Sequence, residues 1–310
     1  MKKIALYIMV IYTHLWVGCL VAQQEMILTK YTYNSLLFNP AYAGSHGYGQ
    51  GTAILQYRNQ WIGLEGAPTT YLIAGEASVA KDKVGVGLSI GRERIGIDSR
   101  TDIAASYAYR TELGKGSLSA GIRTSFSQYR SDFSGIVNVE MNDPVYINPD
   151  ARFGFFAVGA GLYYNAENAY IGISIPAATV ISGSQGSSFS TRHLYMHAGM
   201  MLGNDYGTIQ TEPSFLLAYQ HAAPLQITLG LNLWYKQQFA IGGHFRSQDA
   251  FALSSEMFLQ QQYRIAIAYD FTISDIQRFS DGTFEVMMAY HFYKKPDIKR
   301  IKHLRHGGRF

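Results

Sequence analysis

Four constellations in the chain carry residue types that could do chemistry. Gly87-Leu88-Ser89-Ile90-Gly91 matches G-x-S-x-G, the strained elbow that presents a hydrolase's nucleophilic serine. That chemistry needs a strand, a sharp turn and a helix, with an acid and a histidine nearby. Here the pentapeptide continues an alternating run from Val84, and Arg92-Glu93-Arg94-Ile95-Gly96 reads as the start of a loop. The same glycines fail as a dinucleotide-binding turn, because no helix follows to offer its N-terminus to a phosphate. His193 and His197 have the spacing of helical zinc ligands, but on a strand four residues span roughly 13 Å, too far to share a metal. His303 and His306 could take a metal only opportunistically. Asp132, Glu140, Asp143 and Asp150 share one long connection without the Asp-x-Asp-x-Asp-Gly spacing of a calcium loop, and read as solvated charge. No catalytic residue, metal site or cofactor is expected from these patterns.

The elements that would position such residues are strands. The 310 residues are 47 % hydrophobic and only 15 % charged, with 23 Tyr, 17 Phe, 3 Trp and 31 Gly. So many aromatics exclude a disordered chain. Only the N-terminus approaches the length of apolar run that a membrane helix needs, which excludes a helical bundle in the membrane. Between Tyr48 and Tyr293 the sequence breaks into runs of about ten residues with period two. Examples are Leu225, Ile227, Leu229, Leu231 and Leu233, and Val84, Val86, Leu88 and Ile90. About fourteen strands are predicted, near 48–58, 70–79, 83–92, 100–111, 116–129, 153–164, 169–176 and 193–202, then 207–220, 224–235, 239–246, 249–259, 263–271 and 283–293. Strands 9, 11 and 12 are weakly punctuated, and Pro213 sits inside one of them, so twelve or sixteen strands stay open.

Loop parity separates a membrane barrel from a soluble sandwich. Even-numbered connections such as Ala80-Lys81-Asp82 are tight, whereas every long one, 59–69, 130–152, 177–192 and 272–282, is odd-numbered. Short turns at one end and long loops at the other characterise a transmembrane antiparallel β-barrel, long loops outside the cell. An even strand number returns the C-terminus to the periplasmic side, where the mature N-terminus is also expected. Tyr107, Tyr109, Tyr163, Tyr164, Tyr290 and Phe292 lie near strand ends, as interfacial girdles require. Inward positions such as Gly85, Gly87, Ser89, Ala104 and Gly121 are small, and few charges are expected in the lumen to form a selectivity ring.

The flanks complete the organisation. Residues 1–22 read as a secretory signal, with Lys2 and Lys3 ahead of an apolar stretch and cleavage after Ala22. Cys19, the one cysteine, belongs to that signal, so the mature chain has no disulfide or thiolate chemistry. Residues 23–47 form an N-terminal periplasmic segment. Its Leu36, Leu37, Phe38 and Tyr42 are too apolar to leave in water, and are expected to cover the barrel's mouth or plug its lumen. Residues 48–293 form the barrel, and 294–310 a basic periplasmic tail with seven Lys or Arg against Asp297. The formal charge of +4 is therefore local: without the tail, Lys2 and Lys3, 17 basic residues face 21 acidic ones. In an exported chain, Lys299, Arg300, Lys302 and Arg305 point to outer-membrane lipid headgroups or an acidic periplasmic protein, and not to nucleic acid.

Three segments carry a resemblance: Tyr33 to Gly44, with Asn39-Pro40-Ala41-Tyr42-Ala43-Gly44 at its core; Tyr57 to Thr69, with Gln60-Trp61; and Asn142-Asp143-Pro144-Val145-Tyr146. Together they resemble the PorP/SprF family of type IX secretion system membrane proteins, over nearly the whole mature chain. The resemblance implies a non-enzymatic outer-membrane protein of bacteria that display surface proteins, often gliding adhesins, with no obligatory cofactor. It also implies a role for particular exported proteins, and association with periplasmic ring and lipoprotein components. Asn39, Pro40, Tyr42, Gln60, Trp61, Asp143 and Pro144 are the candidate partner contacts within those segments. Trp61 has three readings: a partner contact, an inward-packed constriction, or a lipid-interface anchor. The expected function is docking or retention of an exported surface protein, the alternative a pore for small solutes or lipophilic molecules.

Overall fold

The computed structural model describes residues 28–46, 49–133, 150–182, 192–203, 208–221 and 223–293. Its first seven strands are β1 (Gln50–Asn59), β2 (Thr69–Val79), β3 (Val84–Ile95), β4 (Asp98–Leu113), β5 (Gly116–Asp132), β6 (Asp150–Asn165) and β7 (Ala169–Ser182). Seven more follow: β8 (His193–Met200), β9 (Ile209–Gln220), β10 (Gln226–Tyr235), β11 (Phe239–Arg246), β12 (Ala250–Leu259), β13 (Tyr263–Thr272) and β14 (Thr283–Tyr293). Each pairs antiparallel with its sequence neighbour, and β1 closes the ring on β14 from Gln50↔Tyr293 to Asn59↔Phe284. No described helix is long and apolar enough to cross a membrane.

Alternation sorts the wall into two faces. On β10, Leu229, Leu231 and Leu233 face outward while Thr228, Asn232 and Trp234 are buried inside. On β3, Val86, Leu88 and Ile90 face outward, and Gly85, Gly87, Ser89 and Gly91 line the lumen. An apolar outer band with a tyrosine-rich margin results, including Tyr107, Tyr109, Tyr235, Tyr263 and Tyr290. Tyr163 is not part of it. Its neighbour Tyr164 takes the outward direction, so period two turns Tyr163 into the lumen, where it is 1 % exposed.

Two further expectations are corrected. Residues 92–96 do not open a loop, because β3 continues to Ile95 and turns through Gly96-Ile97 directly into β4. Gly96 takes the left-handed conformation of that turn, at φ 57°. The lumen is also not poor in charge: Arg58, Glu76, Arg110, Glu212, Arg246, Glu256, Arg264, Asp270 and Glu285 are all buried within it.

The even-numbered connections, among them Ala80–Asp82, Gly114-Lys115 and 236–238, gather at the mouth where β1 begins and β14 ends. This is the turn mouth; the opposite end, with 60–68, 247–249 and 273–282, is the loop mouth. Leu28–His46 fills the lumen between them as a plug. It contains a 3-10 turn (Tyr31–Asn34), the one-turn helix α1 (Ser35–Phe38) and a second 3-10 turn (Pro40–Tyr42). All of its residues are buried except half-buried Leu37. A single helical turn has no stability of its own, so the barrel wall holds this shape.

Candidate functional site

The site is the interface between plug and wall, and it begins with a charge latch near the loop mouth. Alternation on β1, β11, β13 and β14 aims Arg58, Arg246, Asp270 and Glu285 inward. Glu285 accepts the plug backbone at both carboxylate oxygens, from the Thr29 and Lys30 N–H groups at 2.8 Å each. Arg58 braces that carboxylate at 2.9 Å and reaches Asp270 at 2.7 Å. The Thr29 hydroxyl donates to Asp270 at 2.7 Å, and Arg246 joins Asp270 at 3.3 Å and Asp249 at 2.8 Å. Deeper in, Lys30 Nζ meets Glu256 at 2.6 Å, while the Trp234 indole donates to Glu212 at 2.7 Å. The Arg264 guanidinium stacks over Tyr33 at 4.3 Å and Phe258 at 4.7 Å. Tyr31 donates to the Ser214 hydroxyl at 3.0 Å, and the Asn34 amide to Gln56. Arg58 and Arg246 thus pair with Asp270, Glu285 and Asp249, and Lys30 with Glu256, so these buried ions have counter-charges in contact.

The turn-mouth half is seated on glycines instead. Asn39 caps the second 3-10 turn by accepting from the Ala41 N–H at 3.0 Å, with Pro40 fixing φ in its first position. The Asn39 amide also donates to the Leu162 carbonyl at 2.9 Å and lies 3.3 Å from His197 Nε2. Beneath this segment the wall carries glycines at its closest contacts. A Cβ on Gly85 would sit 1.8 Å from the Ala43 carbonyl oxygen, and one on Gly121 2.3 Å from Ala41 N. One on Gly161 would sit 2.1 Å from Asn39 Oδ1. Strand glycines of this kind mark a close backbone approach.

Polar contacts fix the same segment. Arg123 donates to the Leu37 carbonyl at 2.5 Å and Ser174 to the Phe38 carbonyl at 2.6 Å. Arg110 holds the Gly44 and Ala43 carbonyls at 2.7 and 3.1 Å, and itself pairs with Asp82 at 2.8 Å. Glu76 accepts from the Gly44 N–H at 2.8 Å and meets His46 at 2.7 Å. Tyr42 packs edge-on against Tyr163 at 5.4 Å between centroids.

The sequence-predicted residues divide accordingly. Asn39, Pro40 and Tyr42 are buried in the lumen, and their contacts are with the barrel's own wall. Leu36 and Phe38 plug the lumen beside them. Gln60 and Trp61 lie in the β1–β2 connection. Trp61 is half-buried and faces inward, lining a cavity of about 280 Å³ at the loop mouth together with Leu28 and Phe38. That connection is tied to its neighbours by backbone bonds: Ile62 exchanges with Gly282 and Asp281 at 2.8 and 2.7 Å, and Gly96 donates to Gly66 at 2.8 Å. Asp143, Pro144, Lys299, Arg300, Lys302 and Arg305 lie outside the described residues, as do residues 1–27. Ser89 sits mid-strand with no helix after it, so the G-x-S-x-G match is a lumen-lining stretch of β3. His193 and His197 share the inward face of β8, stacked on Tyr195 and Tyr163. Among the described residues no three metal-ligating side chains converge.

The latch residues Arg58, Asp270 and Glu285 were missed in the sequence. Their signal was available: each is a charge on the polar face of an otherwise apolar-alternating strand. What the arrangement does chemically is hold a polypeptide segment in a closed lumen.

No curated protein matches the chain. Solved structures with a similar course include the outer membrane protein Omp33 of Acinetobacter baumannii, at 8 % identity and TM-score 0.45, covering 81 % of this chain and 100 % of that one. The KdgM porin, solved in complex with disordered oligogalacturonate, is 8 % identical with TM-score 0.38, covering 78 % and 99 %. A triple mutant of the Rhodopseudomonas blastica porin is 9 % identical with TM-score 0.34, covering 79 % and 98 %. The family model for the type IX secretion system membrane protein PorP/SprF matches residues 20–290. The chain therefore belongs to the PorP/SprF family of type IX secretion system membrane proteins.

Proposed function

We propose that this barrel sits in the outer membrane with its long loops outside, as a non-enzymatic dock that retains an exported surface protein such as an adhesin and links it to periplasmic machinery. The observation that carries the reading is the plug. A solute pore needs a continuous aqueous path, and Leu28–His46 occupies the lumen with its backbone held by wall side chains near both mouths. A barrel closed in this way offers its rims. The outer rim carries Gln60 and Trp61 in tied connections, with Asp143 and Pro144 assigned to the same side. The inner rim faces periplasmic ring or lipoprotein components, and Lys299, Arg300, Lys302 and Arg305 provide a basic handle for them or for anionic lipid headgroups. Asn39, Pro40 and Tyr42 serve this function by seating the plug. Nucleic acid has no part in it, and residues 1–22 are the export signal.

The test is affinity purification from native outer membrane after in-cell crosslinking, comparing the full chain with one ending at Tyr293. Recovery of a large surface protein or ring components supports docking. Their loss from the shortened chain assigns the contact to the tail, and their retention assigns it to the loops. Absence of any specific partner from both samples overturns the reading in favour of a solute pore.

A further inference from the structure

At the loop-mouth end of the plug, four connections converge on the cavity of about 280 Å³. Trp61 comes from the β1–β2 connection, Pro224 from β9–β10, Gln248 from β11–β12 and Ser274 from β13–β14. Phe38 of the plug and Leu216 of β9 give it an apolar floor. Two kinds of group line the rest. Trp61 and the stacked His193–Tyr195 pair, with ring centroids 5.8 Å apart, supply aromatic faces. Gln220, Gln226 and Gln248 supply side-chain amides. Gln220 is only 8 % exposed, yet among the described residues its amide has no hydrogen-bond partner. A polar group buried in this way is unfavourable unless something entering the cavity bonds it.

Charge narrows the ligand. Asp249 is the one acid among the lining side chains, and Arg246 already holds it at 2.8 Å. No Lys or Arg lines the cavity, so an anionic group would meet no counter-charge there. What remains is a neutral molecule with an apolar face and several hydroxyls. A hexopyranose has both: its C–H face packs on an aromatic ring, and each hydroxyl both donates and accepts, as each amide does. The volume lies at the small end of ligand pockets, enough for one ring and not for a chain. We propose that this cavity binds a single neutral hexopyranose, with Trp61 against its C–H face and Gln220, Gln226 and Gln248 on its hydroxyls. The site stands on its own lining, whichever partner the barrel docks.

Saturation-transfer NMR titration of the purified full chain, in a detergent without a sugar headgroup, tests it with glucose, galactose, mannose and N-acetylglucosamine. At least one is expected to bind saturably, with a Kd of about 1–10 mM. Trp61→Ala should weaken that binding about tenfold, and Trp61→Phe, which keeps an aromatic face, much less. Gln220→Ala should weaken it about 2–10-fold. The methyl glycoside of the best sugar separates two sources, and either result supports the site: equal binding assigns it to the terminal residue of a glycan, and lost binding to a free sugar. Failure of all four sugars to bind saturably overturns the proposal, as does an affinity unchanged in both Trp61→Ala and Gln220→Ala. Tighter binding of N-acetyl-leucinamide than of any sugar also overturns it, by making the cavity a peptide pocket.

Discussion

The loop-mouth half of the plug, Leu28–Asn34, is held mainly by charge, and the turn-mouth half, Leu36–Gly44, mainly by shape. Around Thr29 and Lys30 the wall offers long side chains, Arg58, Glu285, Glu256 and Arg246, whose tips can follow a displaced partner. Around Asn39 to Gly44 it offers bare backbone at Gly85, Gly121 and Gly161, which can follow nothing, with Arg110 and Glu76 binding only the end at Ala43 and Gly44. The charged half therefore tolerates movement but not the loss of one ion. The glycine bed tolerates the loss of a hydrogen bond but not an added atom.

The largest effect is expected where the bed is filled. Gly121→Val places carbon atoms where Ala41 backbone now lies, so the plug cannot seat. Overpacking against atoms with no rotamer to change costs about 3 kcal/mol or more. Hydrogen exchange of the folded barrel reads this directly. The Ala41 and Ala43 amides, bonded to Asn39 and Pro40, should exchange far faster in Gly121→Val than in the unaltered protein. Unchanged protection there would mean that the bed is not what fixes this half of the plug.

Next comes the latch. Glu285→Ala leaves Arg58 with Asp270 as its remaining carboxylate and orphans two buried plug N–H groups, at about 1–3 kcal/mol each. Hydrogen exchange should accelerate at Thr29 and Lys30 while the Ala41 and Ala43 amides stay protected. Acceleration at all four would show that the two halves release as one unit, and the comparison would fail. Lys30→Met should be milder when combined with Glu256→Gln than alone, because the pair removes both charges at once. A melting series of the two single variants and the double should reveal that coupling; simple additivity would count against it. The smallest effect is expected for Asn39→Ala, about 1–3 kcal/mol. It loses one cap and one bond to Leu162 while Pro40 and the glycine bed keep the turn in place. Thermal unfolding measures it, and a loss as large as that of Gly121→Val would make Asn39 the true anchor.

Much of the barrel was legible because period two survives in every strand, and strand number followed from runs such as 225–233 and 84–90. The obscure boundaries have a physical cause. The turns at Lys236-Gln237 and Gln260-Gln261 adopt left-handed φ of 51–57° without Gly, Asn or Asp to signal it. Pro213 is tolerated because the β8 ladder ends at Gly199↔Ser214, one residue before its missing N–H would be needed. The plug was half legible: the apolar content of Leu36 to Tyr42 demanded cover, but nothing local says that Gly85, Gly121 and Gly161, far apart in sequence, lie under it. The latch's charges were legible as inward-facing positions, but their pairing was not, for the same reason. Thr29 and Glu285 are partners only once the ring has closed.

Planar-bilayer conductance of the purified full chain, set beside Gly121→Val, tests the central claim most directly. The account predicts no steady open channel in the unaltered protein and a stable, larger conductance once the plug is unseated. A steady, large conductance in the unaltered protein would contradict it.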